Sequence, residues 1–522
     1  MQRFASRKAS RPPRSPSDSH GSSERRPTSQ DEQPLAEERA PRSRSGARAA
    51  IVIGIVYLGV QLFLFRLKPG IVYDEAVYLS QIVRPRHPIW GPHRAWGTVL
   101  LIAPVAVFGI HIGVLRLYLA IASSALLAWA YWLWFDLIGP AAIGAAVAFG
   151  VSWVALYFGT QAFPNLPLAL FSVAAVAFAI KAMRGHPKAS RGAVFCVAAC
   201  ALIRPSDATA LVAGIALALL IVHRARCARA LAALVVGLAL GWLPWVVESF
   251  IVFGGPFRRL KDAAVGNATV ALRDNLGAYI RSFGGPLLNR VPMKGFPVWA
   301  SIVPLSLIAL AVIACVRFAR HRDIDGYLAC MFAASAMAVT YLFFSGATAP
   351  RFLLPTYALL AVPAAALFFD LNERLLGGRK VLAIAVSACL VVPLLGWNAA
   401  RAHTIWRDQV SASASSAELA RNVASAANGA QCVVAGPFGI AEISVQSHCG
   451  PWNRSCPEEL AELRRRHILI EGIAPESRSW DAEFSTWTRL RTFVVGKSRW
   501  QLYELRPSDA FTPPPDVPPC VM

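Results

Sequence analysis

The sequence predicts an α-helical polytopic membrane protein of about eleven transmembrane helices, with a small extracytoplasmic α/β domain at its C-terminal end. Three observations predict it. Of 522 residues, 55% are hydrophobic and only 16% charged, whereas soluble proteins carry about 25% charged residues. Apolar runs long enough to span a bilayer, about 17–25 residues each, recur between residues 49 and 399. Beyond residue 400 they stop, and short β-like runs alternate with polar, helix-compatible stretches.

Residues 1–48 are rich in Ser, Pro and Arg and poor in apolar side chains, which predicts a disordered cytoplasmic tail. The first apolar run starts too far from Met1 to read as a cleavable signal, and no small-residue cleavage site accompanies it. The expected spans are 49–66, 114–135, 140–159, 165–183, 190–204, 207–223, 229–253, 297–317, 326–346, 352–370 and 380–399. Residues 49–400 then form a membrane domain and 401–522 an outer domain.

A further apolar stretch, 98–112, would make twelve spans, and charge decides against it. With eleven spans and the N-terminus inside, Lys181/Arg184/Lys188/Arg191, Arg224/Arg226/Arg229, Arg317/Arg320/Arg322 and Arg374/Arg379/Lys380 all fall on the cytoplasmic side, as the positive-inside rule requires. With twelve, most would face outward. Residues 98–112 are therefore expected flat on the outer surface. The outer side receives the loop 67–112, the turn Pro164-Asn165-Leu166-Pro167, the long loop 254–296 and the C-terminal domain. The net charge of +22 is dispersed over these inner clusters, which argues against nucleic-acid binding.

The C-terminal domain is expected to contain β-runs at Gln431–Ala435, His467–Ile470, Phe493–Val495 and Trp500–Leu505, and helices at Ser415–Ala427 and Pro457–Arg466. Four of the ten cysteines, Cys432, Cys449, Cys456 and Cys520, fall on the oxidising side. Their spacing favours disulfides over zinc, and Cys449–Cys456 is the pairing a turn through Gly450, Pro451 and Asn453 suggests.

Candidate chemistry centres on Tyr73-Asp74-Glu75-Ala76-Val77-Tyr78, just past the first span. An acid at the hydrocarbon centre costs about 2.5–3.5 kcal/mol; at the interface it escapes most of that cost and stays partly desolvated. Such a carboxylate suits general-base work on a hydroxyl, although it also suits an interfacial anchor. Arg84, Arg86, His87, His93 and Arg94 follow in the same loop, and Arg116, Arg204 and Arg351 stand at the ends of spans. Single arginines there are often snorkelling anchors. Several on one face with a carboxylate pair suit an anionic lipid headgroup, because a guanidinium fork can donate two hydrogen bonds to one phosphate. Arg204 is the strongest candidate, since Pro205 breaks the helix beside it.

Asp74-Glu75-Ala76-Val77-Tyr78 directly after the first span resembles the signature of the GT-C membrane glycosyltransferases, a superfamily that includes protein O-mannosyltransferases, lipid A aminoarabinose transferases and lipopolysaccharide galacturonic acid transferases. Phe108-Gly109 before Leu115-Arg116-Leu117, Arg351-Phe352-Leu353-Leu354-Pro355 before Val362-Pro363-Ala364, and a soluble end at Trp500-Gln501-Leu502-Tyr503-Glu504-Leu505 fit the same pattern in order. The resemblance covers about residues 50–505. It departs at Pro92-His93-Arg94-Ala95-Trp96, where many relatives carry Lys-Pro-Pro or His-Pro-Pro. It departs again at Asn165, where many relatives carry an acid that helps hold a metal or phosphate.

The resemblance implies inverting transfer of a sugar from a polyprenyl-phosphate donor to an extracytoplasmic acceptor (lipid, glycan or protein) by a multi-pass protein of the cell membrane. Asp74 would be the general base. Glu75 would support the site or the acceptor, so that its loss costs less than loss of Asp74. Arg204, with Arg351, Arg116 and His93, would hold the donor phosphate. No metal ligand is assigned, and a divalent metal stays open as a cofactor. A transporter or lipid flippase is the alternative, and a scaffold without activity is another. Against a transporter stand the absence of an internal repeat and the scarcity of acids inside the spans.

Overall fold

The computed structural model describes residues 39–505, apart from 67–69, 84–90, 110, 224–226, 267–271, 273, 283–297, 321–323, 377–378, 437–439, 452–468, 477–486 and 496–497. The protein is a mostly helical, multi-pass membrane protein with a small sheet. Each of the eleven expected stretches is helical. In order they are α1 (Arg39–Phe65), α4 (Ile112–Trp132), α6 (Ala141–Gly150) with α7 (Trp153–Phe158), α8 (Asn165–Met183), α9 (Ala189–Ile203), α10 (Pro205–His223), α11 (Ala228–Val252), α14 (Val298–Arg317), α15 (Ile324–Phe344), α16 (Leu354–Leu376) and α17 (Lys380–Ala427). Among the described residues seven helices are long and apolar enough to cross a membrane by themselves.

Between these run shorter elements: α2 (Tyr73–Val83), α3 (Gly97–Ala106), α5 (Phe135–Ile138), α12 (Pro256–Gly266) and α13 (Leu276–Ser282). At 1.5 Å per residue α3 is about 15 Å long, half the hydrocarbon thickness. That length accords with a helix lying at the interface.

Three boundaries differ from the sequence reading. α1 begins at Arg39, inside the stretch expected to be a disordered tail; Pro41 falls in its first turn, whose N–H groups have no intrahelical partner, so the helix tolerates it there. Residues 1–38 lie outside the described residues. The expected span 140–159 is two helices: α6 stops at Gly150, and the Ser152 Oγ caps α7 by accepting the Ala155 N–H at 3.3 Å. The expected division at residue 400 falls inside α17, which runs unbroken for 48 residues.

The packing places α8 at the centre. Of its apolar window 78% is buried, and of the Pro350–Leu375 window that holds α16 83%, against 28% for α1; α8 is apolar on most of its circumference and therefore belongs inside. Polar tips buried in this core find carbonyl partners: Tyr57 Oη donates to Ala155 O at 2.6 Å, Tyr131 Oη to Ala358 O at 2.9 Å and Trp134 Nε1 to Val173 O at 3.1 Å.

The end of α17 carries the C-terminal domain. Its sheet comprises β1 (Cys432–Ala435), β2 (Gly450–Pro451), β3 (Leu469–Pro475), β4 (Thr488–Val495) and β5 (Ser498–Glu504), in the order β2-β1-β3-β5-β4. β1 is parallel to β2 and β3, while β5 is antiparallel to β3 and β4. Leu419, Ala420, Val423 and Ala427 of α17 pack against Val434, Ile473 and Leu502 of the sheet. The expected Cys449–Cys456 pairing is corrected: Cys449 is bonded to Cys432. β1 and β2 lie parallel and side by side, with Val433 opposite Gly450, which brings the residue before each into reach of the other. Cys456, Cys520 and the expected helix Pro457–Arg466 lie outside the described residues. A helix not anticipated, α18 (Ile440–Ser447), joins the domain to the bundle: its Ala441 and Val445 pack with Ala76, Val77 and Leu79 of α2.

One buried acid is expected to make the domain pH-sensitive. Glu471, at the middle of β3, is fully buried, and neither carboxyl oxygen has a hydrogen-bond partner among the described residues. Burial first, then Glu504 paired opposite it, push its pKa up to about 8, against a smaller opposing pull from Arg491. A carboxyl whose pKa is raised by folding contributes stability that is full below its unfolded value and is lost as pH rises through the folded one. The domain is therefore expected to lose up to about 1.4 kcal/mol per pH unit as pH rises towards 8. Glu471→Gln should flatten that slope in thermal unfolding between pH 5 and 9; an unchanged slope would refute the assignment.

Candidate active site

Asp74 and Glu75 occupy the first turn of α2, where negative charge is favoured by the helix dipole. One residue apart on a helix, they point in different directions, and the structure gives them different surroundings.

Glu75 faces inward. It and Arg116 of α4 are both fully buried. Arg116 Nη1 donates to Glu75 Oε1, and Nη2 donates to Oε2 at 2.6 Å. Arg116 also donates to Thr160 O at 2.9 Å and Gly70 O at 2.7 Å. Glu75 Oε1 accepts the Ala162 N–H at 2.6 Å and Oε2 the Val72 N–H at 3.2 Å. This cluster ties α2, α4 and the 159–164 turn together. It also places Arg116 behind the site, enclosed by acceptors, rather than on a donor phosphate as expected from its position at a span end. The reason is that Arg116 lies on the same helix face as the buried Leu115 and Leu119.

Asp74 faces outward and its side chain is 30% exposed. Arg94 Nη2 donates to its Oδ1 at 2.9 Å, and Arg351 Nη2 to its Oδ2 at 3.0 Å. Burial works to raise the Asp74 carboxyl, but Arg351 and Arg94, with Arg204 beyond them, outweigh it and hold the pKa below the usual carboxylate range. Aromatic faces hold the guanidiniums in place. Arg94 lies over Tyr78 at 5.0 Å, and Arg351 over Phe163 at 4.9 Å and Phe352 at 5.2 Å.

Arg204 stands against the same Phe352 ring at 5.4 Å. The break expected at Pro205 is present: Arg204 leaves the helical conformation at φ −150°, ψ 95°, and Pro205 opens α10. Asp207 and Tyr341 orient the Arg204 side chain. Its Nη1 donates to Asp207 Oδ2 at 3.3 Å and to Tyr341 Oη, which in turn donates to Asp207 Oδ2 at 2.5 Å. Tyr341 stacks on Phe352 with ring centroids 5.0 Å apart. His93 stands at the rim, beside Arg94. Desolvation first, then the nearby Arg94 and Arg204 charges, push its pKa down to about 4, so its ring is neutral at physiological pH.

The structure thus brings Asp74, Arg351, Arg204 and His93 together and sets Glu75 and Arg116 behind them. Arg94, Tyr341 and Asp207 join the site without having been singled out. Arg94 lay in the basic run after the carboxylates, but nothing in the sequence distinguished it from Arg84 or Arg86. The α18 helix also reaches the site. Glu442 is close enough to feel the Asp74 charge; its pKa is raised, by burial first, and its Oε2 has no hydrogen-bond partner among the described residues.

A divalent metal does not fit this arrangement. Both Asp74 oxygens accept from arginines, and Glu75 is enclosed by Arg116 and two backbone N–H groups. No group of three or more potential ligands of the His, Cys, Asp and Glu types occurs among the described residues.

No family model matches the sequence, and no curated protein does. Solved structures do. ArnT from Cupriavidus metallidurans, in a crystal structure bound to undecaprenyl phosphate, matches with TM-score 0.59 at 14% identity, over 88% of this chain and 98% of that one. The arabinofuranosyltransferase AftD from Mycobacteria matches with TM-score 0.53 at 14% identity, over 89% of this chain and 40% of that one. The oligosaccharyltransferase of Archaeoglobus fulgidus, tethered to an acceptor peptide, matches with TM-score 0.50 at 12% identity, over 82% and 69%. The chain therefore has the fold of the GT-C membrane glycosyltransferases.

Proposed function

We propose that the protein is an integral membrane glycosyltransferase that moves a sugar from a polyprenyl-phosphate carrier to an extracytoplasmic acceptor, with inversion. The observation that carries this reading is the pairing around Phe352. Two guanidiniums, Arg204 and Arg351, lie against one aromatic ring, and one of them holds an ionised, partly exposed carboxylate. Their mutual repulsion is relieved by an anion between them, and a lipid phosphate supplies one.

Asp74 accepts the proton of the acceptor hydroxyl as its oxygen forms the bond to the anomeric carbon. The bond from that carbon to the phosphate oxygen breaks, and the electron pair leaves with the polyprenyl phosphate, stabilised by Arg204 and Arg351. Each Asp74 oxygen engages one arginine and keeps a lone pair for the acceptor. A pKa held below the usual carboxylate range makes Asp74 a weak base that is ionised at neutral pH, so proton transfer accompanies bond formation rather than preceding it. Glu75 and Arg116 hold α2 in place and do not touch the reactants.

The test has two parts. Deleting the gene should remove a sugar mass increment from cell-envelope glycans, and restoring it should return the increment; unchanged glycans would reject the reading. Arg204→Ala should weaken undecaprenyl phosphate binding to the detergent-purified protein by about ten- to a hundredfold. Arg204→Lys should recover only part, because a point charge replaces a planar fork. Equal binding by wild type and Arg204→Ala would remove Arg204 from the phosphate.

A further inference from the structure

Arg259 is the largest charged side chain outside the site that is fully buried and surrounded by bonds. It lies on α12, within the long loop after α11. Gly254 and Gly255, at φ +71° and +129°, let the chain reverse there, a conformation other residues rarely adopt. The reversal lays α12 back on the end of α11. From there Arg259 Nε donates to Pro92 O at 2.9 Å and Nη2 to Arg94 O at 2.9 Å. Nη1 donates to Trp245 O at 3.0 Å and Ser249 Oγ at 3.3 Å. The guanidinium is ion-paired with Glu248 at 2.8 Å and sits over Trp245 and Phe253 at 4.4 and 4.5 Å. Glu248 in turn accepts the Trp96 Nε1–H at 3.0 Å.

Apart from Phe253, which caps α11, every one of these contacts outside α11 and α12 falls on Pro92–Trp96, the segment that carries His93 and Arg94. One guanidinium grips the carbonyls on either side of His93, and its counter-ion grips the indole two residues past Arg94. The opposite face of α12 presents Phe257, 89% exposed, and Leu260, 50% exposed, while Arg259 is buried on the face that meets the segment.

We infer that Arg259 is a positioning residue for the transfer reaction: with Glu248 it clamps the Pro92–Trp96 segment so that the Arg94 guanidinium reaches Asp74. The inference rests on the proposed role of Asp74. A clamp on the backbone fixes where the Arg94 side chain starts, and misplacement of a catalytic group by about 1 Å costs on the order of a hundredfold in rate. Arg259 touches neither Arg204 nor Arg351, so phosphate binding is not its task.

The test separates the clamp from the chemistry. Ala95 lies in the clamped segment and is buried, and Ala95→Cys reports the clamp's integrity without any activity. In the purified protein, maleimide labelling of that cysteine, read on its own peptide by mass spectrometry, should speed up about tenfold or more when Arg259→Ala is added, as expected when a buried segment opens locally. Arg259→Lys should give an intermediate rate and Phe257→Ala no change. Equal labelling with and without Arg259 would overturn the clamp, whatever the reaction proves to be.

The link to transfer is read by a double-mutant cycle on the envelope-glycan mass increment, normalised to protein level. Arg259→Ala and Arg94→Ala should each lower it, and the double variant should fall no further than Arg94→Ala alone, whereas independent sites add to within about twofold. Additive losses would show that Arg259 acts otherwise than through Arg94. Undecaprenyl phosphate binding should stay within about threefold of wild type in Arg259→Ala. Joint loss of binding and thermal midpoint would reduce Arg259 to a structural brace. A normal increment in Arg94→Ala would instead overturn the positioning role, since Asp74 would then work without Arg94, with the labelling result still standing for the clamp.

Discussion

Asp74→Asn is expected to lower transfer by about 10²–10⁴ while leaving the lipid phosphate bound. Asparagine keeps the size of the side chain and one carbonyl oxygen, so one of the two arginine contacts survives. It cannot take the acceptor proton. It also removes the negative charge that Arg351 and Arg94 share, leaving those guanidiniums freer to attract an anion. Undecaprenyl phosphate should therefore bind Asp74→Asn at least as tightly as wild type, and turnover and binding should move apart. An interfacial anchor would behave differently: its amide form would leave transfer nearly unchanged. The pH profile supplies a second check. Because the Asp74 pKa lies below the usual carboxylate range, the acid limb of the wild-type rate should fall only beneath that range, and transfer should be flat on this account through neutral pH. Near-normal turnover by a folded Asp74→Asn protein would end the assignment.

The second large effect falls on the buried pair behind the site. Arg116→Ala is expected to destabilise the protein by about 3–5 kcal/mol, the usual consequence of leaving one member of a buried ion pair alone. Glu75→Gln should be of the same kind, since it strands the guanidinium while keeping an acceptor for the Ala162 N–H. From the sequence, Glu75 is expected to be the less sensitive of the two acids. The structure assigns it a different sensitivity, in stability rather than in rate. Removing both partners should be milder than removing one: Glu75→Gln with Arg116→Met leaves no unpaired charge in the interior, and apolar replacements of buried pairs are often close to neutral. Thermal midpoints of the single and double variants in detergent decide the matter. A wild-type midpoint for Arg116→Ala would show that the pair contributes little.

The helices were legible in the sequence because bilayer thickness imposes a minimum apolar length. The break at Pro205 was legible for an equally local reason, since proline lacks the N–H that would continue α9. Each of the four expected β-runs overlaps a strand, because β-branched and aromatic residues cluster there, which is also a local property; β2 was not among them. Asp74 could be singled out because two adjacent acids at the end of an apolar span are costly unless they serve something.

What only the tertiary structure decided concerns partners far apart in the chain. Asp74 and Glu75 are neighbours in sequence, and nothing local says which one turns towards Arg116 and which towards Arg94 and Arg351. Helix geometry separates them by about 100°, and packing of Ala76, Val77 and Leu79 against α3, α4 and α18 chooses the direction. Arg116 and Arg351 look alike as arginines at the ends of spans, yet one is enclosed by acceptors and the other meets the exposed acid. Cys432 was paired with Cys449 by the parallel alignment of β1 and β2, a long-range register no spacing rule reports. Arg259 shows the limit most plainly. In sequence it is one of two arginines after a Gly-Gly turn, and only the return of α12 onto α11 puts it beneath the loop that carries Arg94.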